Sequence, residues 1–171
     1  PILLFEIGRI YLPIPGDLPQ ENEFLTAVLS GPTSPDSWLE TPSTLDFYDG
    51  KGAIEGIIQI FGVTEKYTPC DEPLFHPGRA AVVTSNDQKI GHIGEVQPQI
   101  LKQFGIENSP VTIFQIHLHE FTNLLSLSTP SFKPPPRFPT SERDLALLVD
   151  FNITADQIIE IIRREPLIQK T

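Results

Sequence analysis

A chain of 171 residues, 39% hydrophobic and 20% charged, can bury the core of one domain, or of one domain and part of a second, which excludes wholesale disorder. No apolar run reaches the roughly 18 residues that cross a membrane as a helix, and the first residues lack the basic-then-apolar pattern of a secretory leader. The formal net charge of −10 is uneven, with 6 basic and 16 acidic side chains in residues 1–130 and 6 of each in residues 131–171. Such an acidic body repels phosphate backbones, so any nucleic-acid contact falls to the tail or to another chain. The single Cys70 excludes an internal disulfide and fits a reducing, cytoplasmic compartment. With no methionine and an opening Pro1-Ile2-Leu3-Leu4 that reads as mid-strand, the chain is expected to be a piece of something longer.

Leu3 to Tyr11 alternates, with Leu3, Phe5, Ile7 and Tyr11 on one face, which predicts a strand ended by Pro13 and Pro15-Gly16. Glu23 to Ser30 fits a helix through Phe24, Leu25, Val28 and Leu29, or a second strand. Its eight residues before Gly31-Pro32 are short for a helix, which favours the strand. The Pro- and Ser-rich stretch from Gly31 to Ser43 reads as an exposed connection, with Trp38 anchoring it to the body. Leu45 to Phe61 predicts a helix: Ile54, Ile57, Ile58 and Phe61 recur at helical spacing, Asp46 suits its start, and Gly62 suits the C′ position. Glycines 50, 52 and 56 weaken that helix by about 1 kcal/mol each relative to alanine, which implies close packing of another element.

Phe75 to Val83 and Lys89 to Val96 read as a hairpin around which a sheet is built. It is entered through His76-Pro77-Gly78-Arg79, where Pro77 fixes its own φ and Gly78 can take a positive φ, and Thr84 to Gln88 supplies the turn. The alternation Ile90-Gly91-His92-Ile93-Gly94 marks a strand that another backbone approaches closely. Pro98 opens a short helix to Phe104, closed by Gly105. Pro110 to Leu118 alternates as a strand, and Phe121 to Leu125 is a short apolar helix. Five prolines from Pro130 to Pro139 predict an extended spacer and a domain boundary. Beyond it, Arg143 to Val149 reads as a strand and Thr154 to Arg164 as a helix. That helix has a Thr154–Gln157 capping box, Arg163 and Arg164 at its negative end, and Ile158, Ile159, Ile161 and Ile162 as its buried side. One strand and one helix cannot close a core, so this second unit is expected to be incomplete.

No catalytic centre emerges from these elements. Asp46 to Gly52 gathers two carboxylates and Lys51 among glycines, but the glycine spacing is wrong for a Walker loop and no Ser or Thr follows the lysine. His117 and His119 on one face of a strand would be a usable zinc pair, yet a site needs a third ligand, and Cys70, His76 and His92 lack motif spacing. No catalytic, cofactor-binding or metal residue is therefore assigned. Glu142-Arg143-Asp144 reads as an arginine clamp on phosphate or, preferably, as a solvated strand end with a local ion pair. Arg79 is the better candidate for an ordered arginine, paired to a carboxylate such as Asp46 or Asp49. His76, Pro77, Gly78 and Arg79 together read as a structural corner.

Several patches carry a family resemblance in order along the chain. They are Leu4-Phe5-Glu6-Ile7-Gly8-Arg9, Val28-Leu29-Ser30-Gly31, Leu45-Asp46-Phe47-Tyr48-Asp49-Gly50-Lys51-Gly52 and Phe75-His76-Pro77-Gly78-Arg79-Ala80-Ala81. Ile90-Gly91-His92-Ile93-Gly94-Glu95-Val96-Gln97-Pro98 follows, and then Arg137-Phe138-Pro139 leads into Arg143-Asp144-Leu145-Ala146-Leu147-Leu148-Val149. Together they resemble the C-terminal part of the bacterial phenylalanyl-tRNA synthetase beta chain. Val96 stands where that family usually has Leu, and Gln97 where it often has His.

The resemblance implies an α+β fold in three parts. Residues 1–130 would be a class II aminoacyl-tRNA synthetase-like antiparallel sheet with flanking helices that has lost catalysis. Residues 131–139 would be a proline-rich linker, and residues 140–171 the truncated start of a ferredoxin-like anticodon-binding domain. The family's enzyme joins phenylalanine to its tRNA through an ATP-dependent adenylate, as an alpha-2 beta-2 tetramer. Adenylation belongs to the alpha chain, and editing and the magnesium-ligand carboxylates belong to upstream parts of the beta chain. ATP and magnesium are thus implied for the whole enzyme and not for this stretch. Glu142-Arg143 imitates the end of the class II ATP-binding motif but follows the linker, so no ATP-binding residue is carried over. The expected role is structural, in packing against the alpha chain, with Arg137, Arg143, Arg163 and Arg164 as the cations placed to reach RNA phosphate. The alternative is an acidic protein-interaction domain of synthetase descent that binds no tRNA. A metal-dependent hydrolase using His117 and His119 is a weaker third reading.

Overall fold

Alternating side chains and tight turns build six strands: β1 (Ile2–Leu12), β2 (Gln20–Ser30), β3 (Lys66–Pro69), β4 (Phe75–Ser85), β5 (Gln88–Val96) and β6 (Val111–His117). In the computed structural model, which describes residues 1–39, 41–107, 109–125, 132 and 141–168, they form one antiparallel sheet in the order β1-β2-β6-β5-β4-β3. The chain divides into two compact units, Pro1–Ser131 and Phe132–Thr171. The segment that fits helix or strand by pattern is a strand, because β2 is bonded on both sides, by β1 and by β6.

The period of two sorts the sheet into two faces. Ala27, Phe114, Ile93 and Ala81 stand in register across four strands, and all four are buried. Two helices cover this face, α1 (Phe47–Ile60) and α3 (Leu118–Leu125). Ile54 and Ile58 of α1 are fully buried, each contributing about 1.5–3 kcal/mol of hydrophobic stabilisation. Phe61 meets Phe121 edge-on at 5.5 Å. Asp46 caps α1, its carboxylate accepting from the N–H of Tyr48 at 2.7 Å, while Asp49 returns a bond to the Asp46 N–H at 2.8 Å. On the other face, Leu101 of α2 (Pro98–Gln103) packs with Val96 and Val111. The next register row there, Thr26, Gln115, His92 and Val82, is half-buried and largely polar.

The glycine-spaced strand is used as its pattern predicts. A Cβ on Gly91 would lie 2.3 Å from the Gln115 carbonyl oxygen, and one on Gly94 would lie 2.4 Å from the Phe75 ring. The turn between β4 and β5 is tighter than Thr84 to Gln88: Asn86 and Asp87 alone take positive φ, and Ser85 pairs with Gln88.

Other expectations are corrected. Trp38 is 93% exposed, so it does not anchor its loop to the body. Of the three helix glycines only Gly50 meets a neighbour, with a hypothetical Cβ 2.7 Å from Thr112 Cγ2, whereas Gly52 and Gly56 face open space. β1 forms, but Leu3, Phe5, Ile7 and Tyr11 on this edge strand are each more than half exposed. β6 ends at His117 and α3 begins at Leu118, so His117 and His119 do not share a strand face.

In the second unit, residues 141–150 have no regular secondary structure, where Arg143 to Val149 reads as a strand by pattern. Among the described residues no neighbouring strand takes up their backbone groups, and extended chain without a ladder stays solvated. α4 (Ala155–Arg163) starts as expected, with Thr154 Oγ1 accepting from the Gln157 N–H and Gln157 Oε1 accepting from the Thr154 N–H. Its isoleucine side is not buried: Ile161 is 64% exposed, and Ile158, Ile159 and Ile162 are half-buried. The proline-rich spacer lies outside the described residues apart from Phe132, which is exposed.

Candidate functional site

The hairpin entrance is a bulge. Phe75 pairs with Val96 and Ala80 pairs with Gly94, so the four residues His76 to Arg79 stand opposite the single residue Glu95. Gly78 at φ 76° makes the loop-out affordable for the backbone, and His76 Nδ1 lies 2.7 Å from the Pro77 carbonyl oxygen, a donor position that places the proton on Nδ1. This geometry turns Arg79 onto Glu95, with Nη1 donating to Oε2 at 2.7 Å. Glu95 is buried, and its other oxygen accepts from the Phe47 N–H at the start of α1 at 3.4 Å. The carboxylate therefore ties the bulge to a helix N-terminus, where negative charge is favoured. Its hydrogen bond and charge hold the Arg79 guanidinium above its ordinary pKa, with a smaller push from Asp46. The expected partner of Arg79, Asp46 or Asp49, is thus corrected: those two carboxylates cap α1, and Glu95 takes the arginine.

Arg79 is paired and yet 57% exposed, on an open cleft of about 560 Å³. Val96, Leu101 and Ile106 give the cleft apolar lining, Arg79 and Lys102 give it cations, and Glu95 and Glu107 give it carboxylates. A second depression of about 460 Å³ holds Arg9 between Glu21 at 2.8 Å and Glu23 at 2.6 Å, with His119 and Thr122 alongside. All three charged groups there are about half exposed, so the pair contributes little to stability.

The histidines serve the sheet. His117 stacks edge-on against Phe24 at 4.8 Å, and burial lowers its pKa against the opposing pull of Glu120. His92 has a buried Nδ1 without a hydrogen-bond partner and lies 4.0 Å from Glu72 Oε1. Among the described residues no group of three or more His, Cys, Asp or Glu side chains is arranged to hold a metal ion. Cys70 is half-buried, and burial followed by the charge of Glu72 raises its thiol pKa, which disfavours the reactive thiolate.

His92 has a measurable consequence. Burial lowers its folded-state pKa below the ordinary 6.5, with Glu72 opposing and with Lys89 and His117 adding to the shift. The unfolded chain then binds more protons around that pH, so this contribution to stability is full above about pH 6.5 and declines as the pH falls through the unfolded value towards the folded one. Urea midpoints measured from about pH 7.5 to 5.5 are expected to fall in the parent sequence and to fall less in His92→Gln. Equal slopes for the two proteins would refute this assignment.

The four arginines expected to reach RNA phosphate are placed only in part. Arg143 donates to the Glu142 carbonyl oxygen at 2.8 Å, Arg163 lies in the last turn of α4, Arg164 is its C-cap, and Arg137 lies outside the described residues. Glu95 and Lys102 were missed by the pattern reading. The signal for Glu95 is its place between Gly94 and Val96 in a strand facing a Pro-Gly corner, but its pairing depends on a bulge that only the register reveals.

The antiparallel six-stranded sheet backed by helices is shared as a fold with a tRNA synthetase of known structure. The chain is similar to the crystal structure of pyrrolysyl-tRNA synthetase from Desulfitobacterium hafniense, with a TM-score of 0.53 covering 75% of this chain and 43% of that one. At 14% identity the likeness is one of fold alone. The family model for the phenylalanyl tRNA synthetase beta chain CLM domain matches residues 1–118, and the chain belongs to that family. It is 35% identical over 97% of its length to the phenylalanine–tRNA ligase beta subunit of Dehalococcoides mccartyi strain 195 and covers 20% of that protein. Toward the beta subunits of Geobacter sulfurreducens and Geobacillus kaustophilus the identities are 36% over 93% and 32% over 98% of this chain, covering 20% and 21% of those proteins. The chain thus spans about a fifth of the length of these curated relatives.

Proposed function

We propose that this chain is a structural and subunit-assembly part of the beta subunit of a phenylalanine–tRNA ligase, with no adenylation site of its own. The match of residues 1–118 to the beta-chain family is the observation that carries this reading. In it, the whole enzyme attaches phenylalanine to tRNA in the cytoplasm using ATP and magnesium. The first unit is the C-terminal synthetase-like module and packs against the alpha chain. Residues 140–171 begin a ferredoxin-like anticodon-binding domain, whose Arg143, Arg163 and Arg164 face tRNA phosphate together with Arg137 of the linker. No helix among the described residues is long and apolar enough to cross a membrane. The net charge of −10 favours one competing reading, an acidic protein-interaction domain that binds no tRNA.

Co-expression of the full parent beta chain with its alpha chain tests both. One complex that charges tRNA with phenylalanine is expected; separate elution without charging overturns the ligase reading. Within the complex, reversing Arg143, Arg163 and Arg164 to Glu is expected to raise the KM for tRNA about tenfold without changing ATP–pyrophosphate exchange. An unchanged KM favours the interaction domain.

A further inference from the structure

We propose that the loop between β2 and α1 is a docking finger, whose Trp38 and Leu39 seat in an apolar pocket rimmed by Lys or Arg side chains on the alpha chain of the ligase. The inference rests on the assembly reading in taking the alpha chain as partner, and it deepens that reading by naming the side chains that make the contact.

The loop is closed at its base. After β2 ends at Ser30, Pro32 bridges Thr44, the Thr33 N–H donates to the Ser43 carbonyl oxygen at 2.8 Å, and the Leu45 N–H donates to the Gly31 carbonyl oxygen at 2.9 Å. The Thr33 hydroxyl adds a bond to the Ser43 carbonyl oxygen at 3.1 Å, and Leu45 fixes the returning limb in the core. Beyond this stem every residue from 33 to 39 is exposed. The Leu39 N–H donates to the Ser37 hydroxyl at 3.2 Å across Trp38, and Pro35 fixes its own φ, so the turn that carries the indole is set locally and loses little freedom on binding. Trp38 is 93% exposed and Leu39 is 71% exposed. One exposed leucine is ordinary, but an indole almost wholly in water beside a second large apolar side chain, both beyond a closed stem, is a patch of the kind that marks interfaces. Trp is among the side chains that most often anchor them, because it fills an apolar pocket and still has an N–H to donate.

Charge selects the rim of that pocket. Asp36 and Glu40 stand two residues before and two after Trp38, and no Lys, Arg or His occurs between Arg9 and Lys51. Asp36 makes no ion pair among the described residues. An apolar pocket with cations at its edge complements both the anchor and its flanking carboxylates. A nucleic-acid strand finds an indole to stack on but meets those carboxylates, and an anionic membrane surface meets the same repulsion.

Hydroxyl-radical footprinting read by mass spectrometry tests the proposal on the intact parent beta chain, free and in complex with its alpha chain. Trp38 is expected to oxidise rapidly in the free chain and about tenfold more slowly in the complex. Trp38→Ala is expected to weaken alpha-chain binding about tenfold and Trp38→Phe less, while Asp36→Lys weakens it chiefly at low salt. All three substitutions lie on exposed surface, and circular dichroism confirms that the variants fold. Trp38 still reactive in the complex, protection already present in the free beta chain, protection by tRNA without the alpha chain, or unchanged affinity in Trp38→Ala would each overturn it. A complex that forms with Trp38 still reactive leaves the assembly reading standing, whereas absence of any complex overturns both, so the two failures are told apart.

Discussion

Gly91→Ala is expected to destabilise the fold strongly. The added methyl would sit 2.3 Å from the Gln115 carbonyl oxygen and 3.3 Å from the Ile116 Cα, both main-chain atoms of β6. Gly91 and Ile116 are register partners in the β5–β6 ladder, which lies inside the sheet with β2 beyond β6 and β4 beyond β5. No rotamer change can relieve a clash between two backbones, so the strands must separate and lose hydrogen bonds. Overpacking costs about 1–3 kcal/mol when side chains yield and more when they cannot. A loss of at least about 3 kcal/mol is therefore expected, out of a total that is typically about 5–15 kcal/mol. Gly52→Ala is the control, since its Cβ meets nothing within 4 Å and alanine favours the helix by about 1 kcal/mol. A denaturation midpoint for Gly91→Ala equal to that of the parent would refute the account.

Phe75 and Gly94 are expected to be coupled through one volume. Phe75 is 1% exposed, and its ring occupies the space over Gly94, with Cγ 2.4 Å from where a Cβ would be. Phe75→Ala alone is expected to cost about 3–5 kcal/mol by leaving a cavity. Gly94→Ala alone should cost about 1–3 kcal/mol, because the ring must move. In the double variant the new methyl enters space the ring has vacated, so the combined loss should fall short of the sum by more than about 1 kcal/mol. Additive losses would show that the close approach is relieved elsewhere. Phe75 also edges His92 at 5.6 Å, so its removal should hydrate that imidazole and return its pKa towards the ordinary value, which an NMR titration would detect.

How much of this was legible in the sequence varies with how local each cause is. The α1 cap, the Thr154–Gln157 box, the Pro98 start of α2 and the β4–β5 hairpin were legible because each is set by neighbours a few residues away. The glycine pattern of β5 announced close packing without naming the partners, which are β6 for Gly91 and Phe75 of β4 for Gly94. Trp38 misled because a large aromatic residue is usually buried, and burial requires a surface that the loop does not reach. Arg143 to Val149 misled for a related reason: its apolar run predicts a strand, but a strand exists only beside another.

The His-Pro-Gly-Arg corner shows the division most clearly. By itself the sequence determined that the chain bends there and that Arg79 follows in a constrained position, because Pro77 and Gly78 act on their own torsions. Tertiary structure alone decided that four residues would bulge opposite Glu95 and that the carboxylate would join Arg79 to the start of α1. It also decided that Arg79 and Lys102 would line one cleft. The reason is physical: a torsional preference is a property of a residue and its neighbours, whereas a register and a charge pair exist only after distant strands have met.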